Sequence, residues 1–244
     1  MAVRLVRSVV LVGSVLLLFL FLLYSVAGVL SNRTRNSVSL KFPTSIGDIK
    51  DLINDALTLK NDELYLVMVL YSLAYLFKQC FSIPGSSLLN LFAGAVFGLW
   101  IGFPLVCVLS ASGASLCFLL SKLAGEELVK MCLKERLTSL STKVKGQSGF
   151  GEFLMLLSLR LFPATPNWLL NLSLPHLGVH SGKFFLSVFF GLMPYNFLCV
   201  QAGLILRVST SVDDVMDYKI FAILTISSFS LLAATFGMRK LKKS

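Results

Sequence analysis

The strongest constraint in this sequence is a pair of long charge-free apolar stretches. Val9 to Leu30 carries no charged residue, and neither does Gln79 to Ser121. Charge-free runs of about 18 or more residues read as bilayer spans. Composition agrees: 56% of the 244 residues are hydrophobic and only 14% are charged. Soluble domains carry about a quarter charged residues, so this chain could not coat a soluble surface of its size. The expected fold class is an all-α integral membrane protein.

The net charge of +10 sits in loops and tails, where it suits the anionic cytoplasmic face of a membrane. No basic patch is interleaved with aromatics, so no nucleic-acid partner is expected. The five cysteines are odd in number and form no CxxC or His/Cys cluster. That pattern indicates neither a disulfide framework nor a zinc site. His176 and His180 stand four apart with no carboxylate or cysteine beside them, so no metal is expected there. No catalytic constellation or nucleotide loop is visible, so neither an enzyme nor a cofactor is expected.

The polar loops set the topology. Residues 31–63 hold five basic and five acidic residues, 122–149 hold six and three, and the tail is Arg239-Lys240-Leu241-Lys242-Lys243-Ser244. Lys and Arg stay cytoplasmic. That rule places the N-terminus, the 122–149 loop and the 239–244 tail on the cytoplasmic side. The 31–63 segment and the acidic 207–218 loop fall on the other side. Segments 9–30, 99–121, 184–206 and 219–238 must then cross fully, about four spans. Blocks 64–98 and 153–174 must enter and leave by one face, as two re-entrant helical hairpins. The first apolar run, with Arg4 and Arg7 before it and Ser25-Val26-Ala27 near its end, reads as a span or as a signal peptide. The 122–149 loop reads as a solvated or surface-lying helix.

Each hairpin block breaks at proline: Pro84-Gly85 in the first, Pro163 and Pro166 in the second. Proline lacks an N–H and interrupts the helical ladder, and glycine permits a reversal. Backbone groups freed at membrane depth must meet protein or water. The alternative is a pair of proline-kinked spans. The two blocks also resemble each other. Lys78 lies six residues before Pro84, and Arg160 lies six before Pro166. Leu88-Leu89-Asn90-Leu91 recurs as Leu169-Leu170-Asn171-Leu172. One span and a polar loop separate the copies, which makes an inverted repeat with a site expected at the repeat interface near the midplane.

At these residues the chain resembles the DedA/VTT (SNARE-associated Golgi protein) superfamily, and within it the A-type branch of the transmembrane protein 41 group. The segments that carry the resemblance are Phe81–Asn90, Ala93–Gly98, Arg160–Trp168 and Gly191–Phe197. With their flanks they cover about residues 65–237. The resemblance implies two re-entrant helices inside an inverted repeat. It also implies ATP-independent phospholipid scrambling at the endoplasmic reticulum, with links to autophagy and lipid export. Bacterial relatives often carry a carboxylate in the first re-entrant segment. Here Ser86 and Ser87 follow Pro84-Gly85, and no acidic residue lies between Glu63 and Glu126. A proton relay needs a titratable group, so passive movement leads.

A polar path for lipid headgroups needs donors at membrane depth. Arg160 is the first candidate, because its fork matches phosphate oxygens. Its other reading is a snorkelling or hairpin-locking cation. Lys78 is its counterpart in the repeat. Asn90, Asn167 and Asn171 stand beside the breaks, where they line the path or satisfy exposed carbonyls. Asn196 and Gln201 line it or bond across helices. Gly94, Gly98, Gly102 and Gly113 read as packing positions, and Trp100 and Trp168 as interface anchors. Asn171 and Asn32 begin glycosylation sequons, the first within the membrane. Lys240 and Lys242 match a dilysine retrieval signal. The expected partners are membrane phospholipids. A homo-oligomer, trafficking partners, a solute-transporter reading and a non-transporting adaptor reading are left open.

Overall fold

A computed structural model describes residues 2–34, 46–125, 129, 141, 149–162 and 165–208. The expected span 219–238, the 239–244 tail, Pro163 and most of the 122–149 loop lie outside the described residues. Helices form throughout, with no strand among the described residues. They are α1 (Ala2–Thr34), α2 (Ile46–Cys80), α3 (Ser86–Ala124), α4 (Phe150–Leu161), α5 (Asn167–Ser173) with a 3₁₀ turn at Leu174–Leu177, and α6 (Ser181–Val208). Three are long and apolar enough to cross a bilayer: Val6–Arg33, Ser86–Ala124 and Ser181–Arg207.

The helices fall into two compact units, one built on Val10–Gly113 with residues 195–208, the other on Ala114–Pro194. Each unit contains one copy of the repeat. α3 and α6 each contribute one part to either unit.

In the first unit, α2 is two helices joined at Glu63, whose backbone leaves the helical region at φ −142° and ψ 57°. The part before the kink was expected only as a polar segment, yet it is helical. The reason is its periodicity. Ile53, Ala56 and Leu59 recur at helical spacing and are buried against Leu30, Val67 and Tyr71, while Asp51 and Asp55 stay exposed. Charge counting alone hides that stripe.

α3 also contains a break. Thirty-nine residues of straight helix would reach about 58 Å, far beyond the ~30 Å hydrocarbon core. Gly98 interrupts it at φ 75° and ψ 178°, a conformation open essentially to glycine alone. The helix folds back there. A Cβ on Gly102 would lie 2.8 Å from the carbonyl oxygen of Ala93. In a straight helix those two residues would be about 13 Å apart along the axis. Gly98 is therefore a reversal point rather than the packing position expected; nothing lies within 4 Å of where its Cβ would stand. Gly94, Gly102 and Gly113 do pack as expected. A Cβ on Gly94 would stand 1.9 Å from the Val200 carbonyl oxygen, and one on Gly203 would stand 1.9 Å from that of Leu91. The leg 86–97 and the 195–208 end of α6 thus touch backbone to backbone.

α1 serves as a ruler for the first break. Arg33 Nη1 pairs with Glu63 Oε1 at 3.0 Å. Fourteen residues earlier on α1, the Phe19 ring lies 5.9 Å from that of Phe77, fourteen residues later on α2. The two helices run antiparallel. Phe19 also meets Phe81 at 6.3 Å, so the break after Cys80 is level with Phe19. That is about 21 Å along α1 from Arg33, near the middle of the Val6–Arg33 span.

In the second unit, α4 ends at Leu161, and the chain turns before α5 begins at Asn167. The Phe162 amide closes back on Ser158 and the Thr165 amide on Phe162. Ser121 of α3 reaches this region: its hydroxyl donates to the Leu172 carbonyl at 2.8 Å and meets His176 Nε2 at 3.0 Å. His176 thus has a hydrogen-bonding role on the turn. Gly178, at φ 80°, reverses the chain into α6. Phe118 and Phe184 pack at 4.5 Å between α3 and α6.

Candidate polar sites at the two helix breaks

The two copies of the repeat place the same residue types beside a break and then use them differently. In the second unit, Arg160 ends α4 and is 4% exposed. Its Cβ would be 2.6 Å from a Cβ added to Gly191, so only glycine on α6 admits it. Asn167 and Asn171 stand one helical turn apart on α5 and so share a face. Both accept from the same guanidinium nitrogen, Nη1, at 3.1 and 2.9 Å. Nη1 carries two hydrogens, and two asparagine oxygens take them. The Phe184 ring lies 4.8 Å from Cζ. Arg160 Nε and Nη2, also buried, have no hydrogen-bond partner among the described residues.

In the first unit, Lys78 ends α2 and is 3% exposed. Its ammonium is bonded to Ser86 across the break and reaches Gln79 Oε1 at 3.5 Å. It does not bond Asn90, although the repeat would pair them as Arg160 pairs with Asn171. Asn90 is fully buried elsewhere. Its Oδ1 accepts from the Tyr75 hydroxyl at 3.0 Å, and its Nδ2 donates to Asn196 Oδ1 at 3.0 Å. Asn196 Nδ2 reaches Ser110 Oγ at 3.3 Å, and Ser110 meets the Tyr75 hydroxyl at 2.7 Å. The result is a closed ring of four polar side chains from α2, both legs of α3, and α6.

The predicted site residues therefore separate into three groups. Arg160, Asn167 and Asn171 come together. Lys78 turns inward and bonds Ser86 across its own break. Asn90 and Asn196 join a network with Tyr75 and Ser110, two residues that sequence reasoning missed. Asn90 bonds side chains rather than the carbonyls freed by the break, and Asn196 bonds across helices. Gln201 is half-buried on α6. Pro84 and Gly85 lie in the first break, with Gly85 at φ 104°, and Pro166 precedes α5 in the second. Tyr75 and Ser110 gave no signal, because a tyrosine or serine in an apolar run also reads as packing. Gly191 opens one of the resembling segments, but nothing in the sequence set it opposite Arg160.

These features define a class: a helical membrane protein built on a duplicated, broken helix with a buried base at each break. The model of the VTT domain matches residues 83–204. The chain is 33% identical over 233 residues to the transmembrane protein 41 homolog of Caenorhabditis elegans, covering 93% of this chain and 94% of the relative. It is 33% identical to transmembrane protein 41B of Homo sapiens over 92% of this chain and 76% of that one. It is 34% identical to the Dictyostelium discoideum homolog, of whose length it spans 60%. The chain belongs to the VTT-domain family, in the transmembrane protein 41 group. No solved structure matches it.

Proposed function

We propose that this protein is an ATP-independent, scramblase-like protein of the endoplasmic reticulum that moves phospholipid headgroups past the hydrocarbon core. One observation carries the reading: Arg160 is buried at a helix break with part of its guanidinium unbonded among the described residues. An arginine at span depth costs about 2.5–3.5 kcal/mol on insertion scales. The two asparagine bonds and the Phe184 ring offset that cost. A leucine would avoid the cost and release both asparagines, because buried ionic groups are seldom the most stable choice. A retained, prepared cation therefore points to use.

In this reading the two breaks are the tips of re-entrant hairpins, and four helices cross fully. The level of the first break against Phe19, midway along α1, supports it. Family membership supports lipid as the cargo. The absence of any carboxylate between Glu63 and Glu126 supports passive movement. The reticulum assignment rests on the family resemblance.

Reconstitution tests the function. Liposomes carrying the protein and a fluorescent phospholipid in both leaflets should lose the inner leaflet's protection from external dithionite without ATP. Solute uptake driven by a pH gradient, with no lipid movement, would instead establish a transporter. Activity in neither assay would leave the adaptor.

A further inference from the structure

The geometry points to a specific oxyanion site on one edge of Arg160: a bidentate fork of Nε–H and Nη2–H for two oxygens of a phosphate group. This deepens the function proposed above and rests on it for the choice of cargo. A guanidinium offers five N–H bonds in one plane. The Nη1 hydrogens are taken by Asn167 and Asn171. One face of the plane is covered by Phe184. Gly191 closes on Cβ and Cγ, fixing the stem. What remains is the side-on edge, Nε with Nη2, and neither atom has a partner among the described residues. Two parallel N–H groups on that edge match two oxygens of a phosphate or carboxylate.

A second observation distinguishes this unit from the other. The buried side-chain polar atoms without a partner among the described residues are Arg160 Nε, Arg160 Nη2, Ser115 Oγ and Ser173 Oγ. All four belong to the unit built on Ala114–Pro194. In the other unit Lys78, Asn90, Tyr75, Ser110 and Asn196 bond one another or Ser86 and Gln79. Buried polar groups left unpaired in protein are met by water or ligand. The duplicated breaks have thus diverged: one is self-satisfied, and the other keeps donors in reserve. Both nitrogens are buried, so occupation by an anion requires the surrounding side chains to give way.

A phospholipid headgroup and free inorganic phosphate share this chemistry, and the test separates them. Thermal unfolding of the purified full-length protein in a non-ionic detergent is followed with four additions. These are dihexanoyl-phosphatidylcholine below its micellar concentration, dihexanoylglycerol, inorganic phosphate, and chloride at matched ionic strength. The expected result is stabilisation by the phospholipid and no effect of the phosphate-free glyceride or of chloride. Stabilisation by inorganic phosphate alone keeps the site and makes free phosphate its ligand. Arg160→Lys keeps the charge and loses the fork, so the half-saturating phospholipid concentration should rise about tenfold. Equal shifts with glyceride or chloride overturn the site even if the lysine variant does not fold. So does an Arg160→Lys variant that folds and binds like the parent. If the parent scrambles lipid and folded Arg160→Lys scrambles equally, the fork is wrong and the function stands. If the parent binds phosphate selectively but scrambles nothing, the fork stands and the function falls.

Discussion

Arg160 donates through Nη1 to Asn171 Oδ1 at 2.9 Å, across a break that separates them by eleven residues. The bond holds the guanidinium against α5. Asn171→Ala leaves one Nη1 hydrogen buried without that acceptor and should cost about 1.5–3 kcal/mol. Asn171→Asp keeps an acceptor and adds an opposite charge, so it should retain most of the stability. Denaturant unfolding of the two variants in bicelles measures the difference.

Gly94→Ala and Gly203→Ala should both collapse the first unit. Each new Cβ would stand 1.9 Å from a backbone oxygen, which no side-chain rotation relieves. Overpacking typically costs about 1–3 kcal/mol, and a clash with backbone belongs at or above the top of that range. Gly13→Ala and Gly28→Ala, where no atom lies within 4 Å, should be neutral or mildly stabilising. Folded yield and thermal unfolding of the four variants provide the comparison.

Gly98→Ala meets no steric neighbour yet should lose about 1–3 kcal/mol, because its φ of 75° with ψ of 178° is strained for any residue with a Cβ. A thermal-unfolding loss at Gly98 together with tolerance at Gly13 would identify a backbone effect. Equal tolerance at both would contradict the reversal.

Tyr75→Phe removes the hydroxyl that joins Asn90 to Ser110. Both lose a buried partner, and stability should fall by about 1–3 kcal/mol. Lipid movement per folded molecule should stay at the parental level, because this network has no donor in reserve. A selective loss of lipid movement with stability intact would place the network on the lipid path.

The sequence made the class of the protein legible through simple physics. Charge-free runs require bilayer spans, and paired prolines require broken helices. The recurrence of Leu-Leu-Asn-Leu, each copy preceded by one base and a proline break, exposed the duplication. The notable miss was the asymmetry between the copies. Lys78 and Arg160 look equivalent in spacing, but a flexible ammonium can turn back to Ser86, whereas a planar guanidinium is held edge-on by two asparagines one turn apart. The Tyr75–Asn90–Ser110–Asn196 ring joins residues up to 121 positions apart, and no local pattern encodes it. The stripe Ile53, Ala56 and Leu59 was readable in principle, but the balanced charge of its segment concealed it.

A polar lipid path requires each of the two broken segments to enter and leave by one face of the membrane. Single cysteines at Tyr65 and Trp100, which are 81% and 90% exposed, bracket the first break, and single cysteines at exposed Phe150 and His180 bracket the second. They are introduced into a cysteine-free background and labelled with a membrane-impermeant maleimide from each side. Positions 65 and 100 should react from one face, and positions 150 and 180 should react together from the opposite face. Reaction of 65 and 100 from different faces would mean that the first break is a kink in an ordinary span, and the proposed polar path would lose its basis.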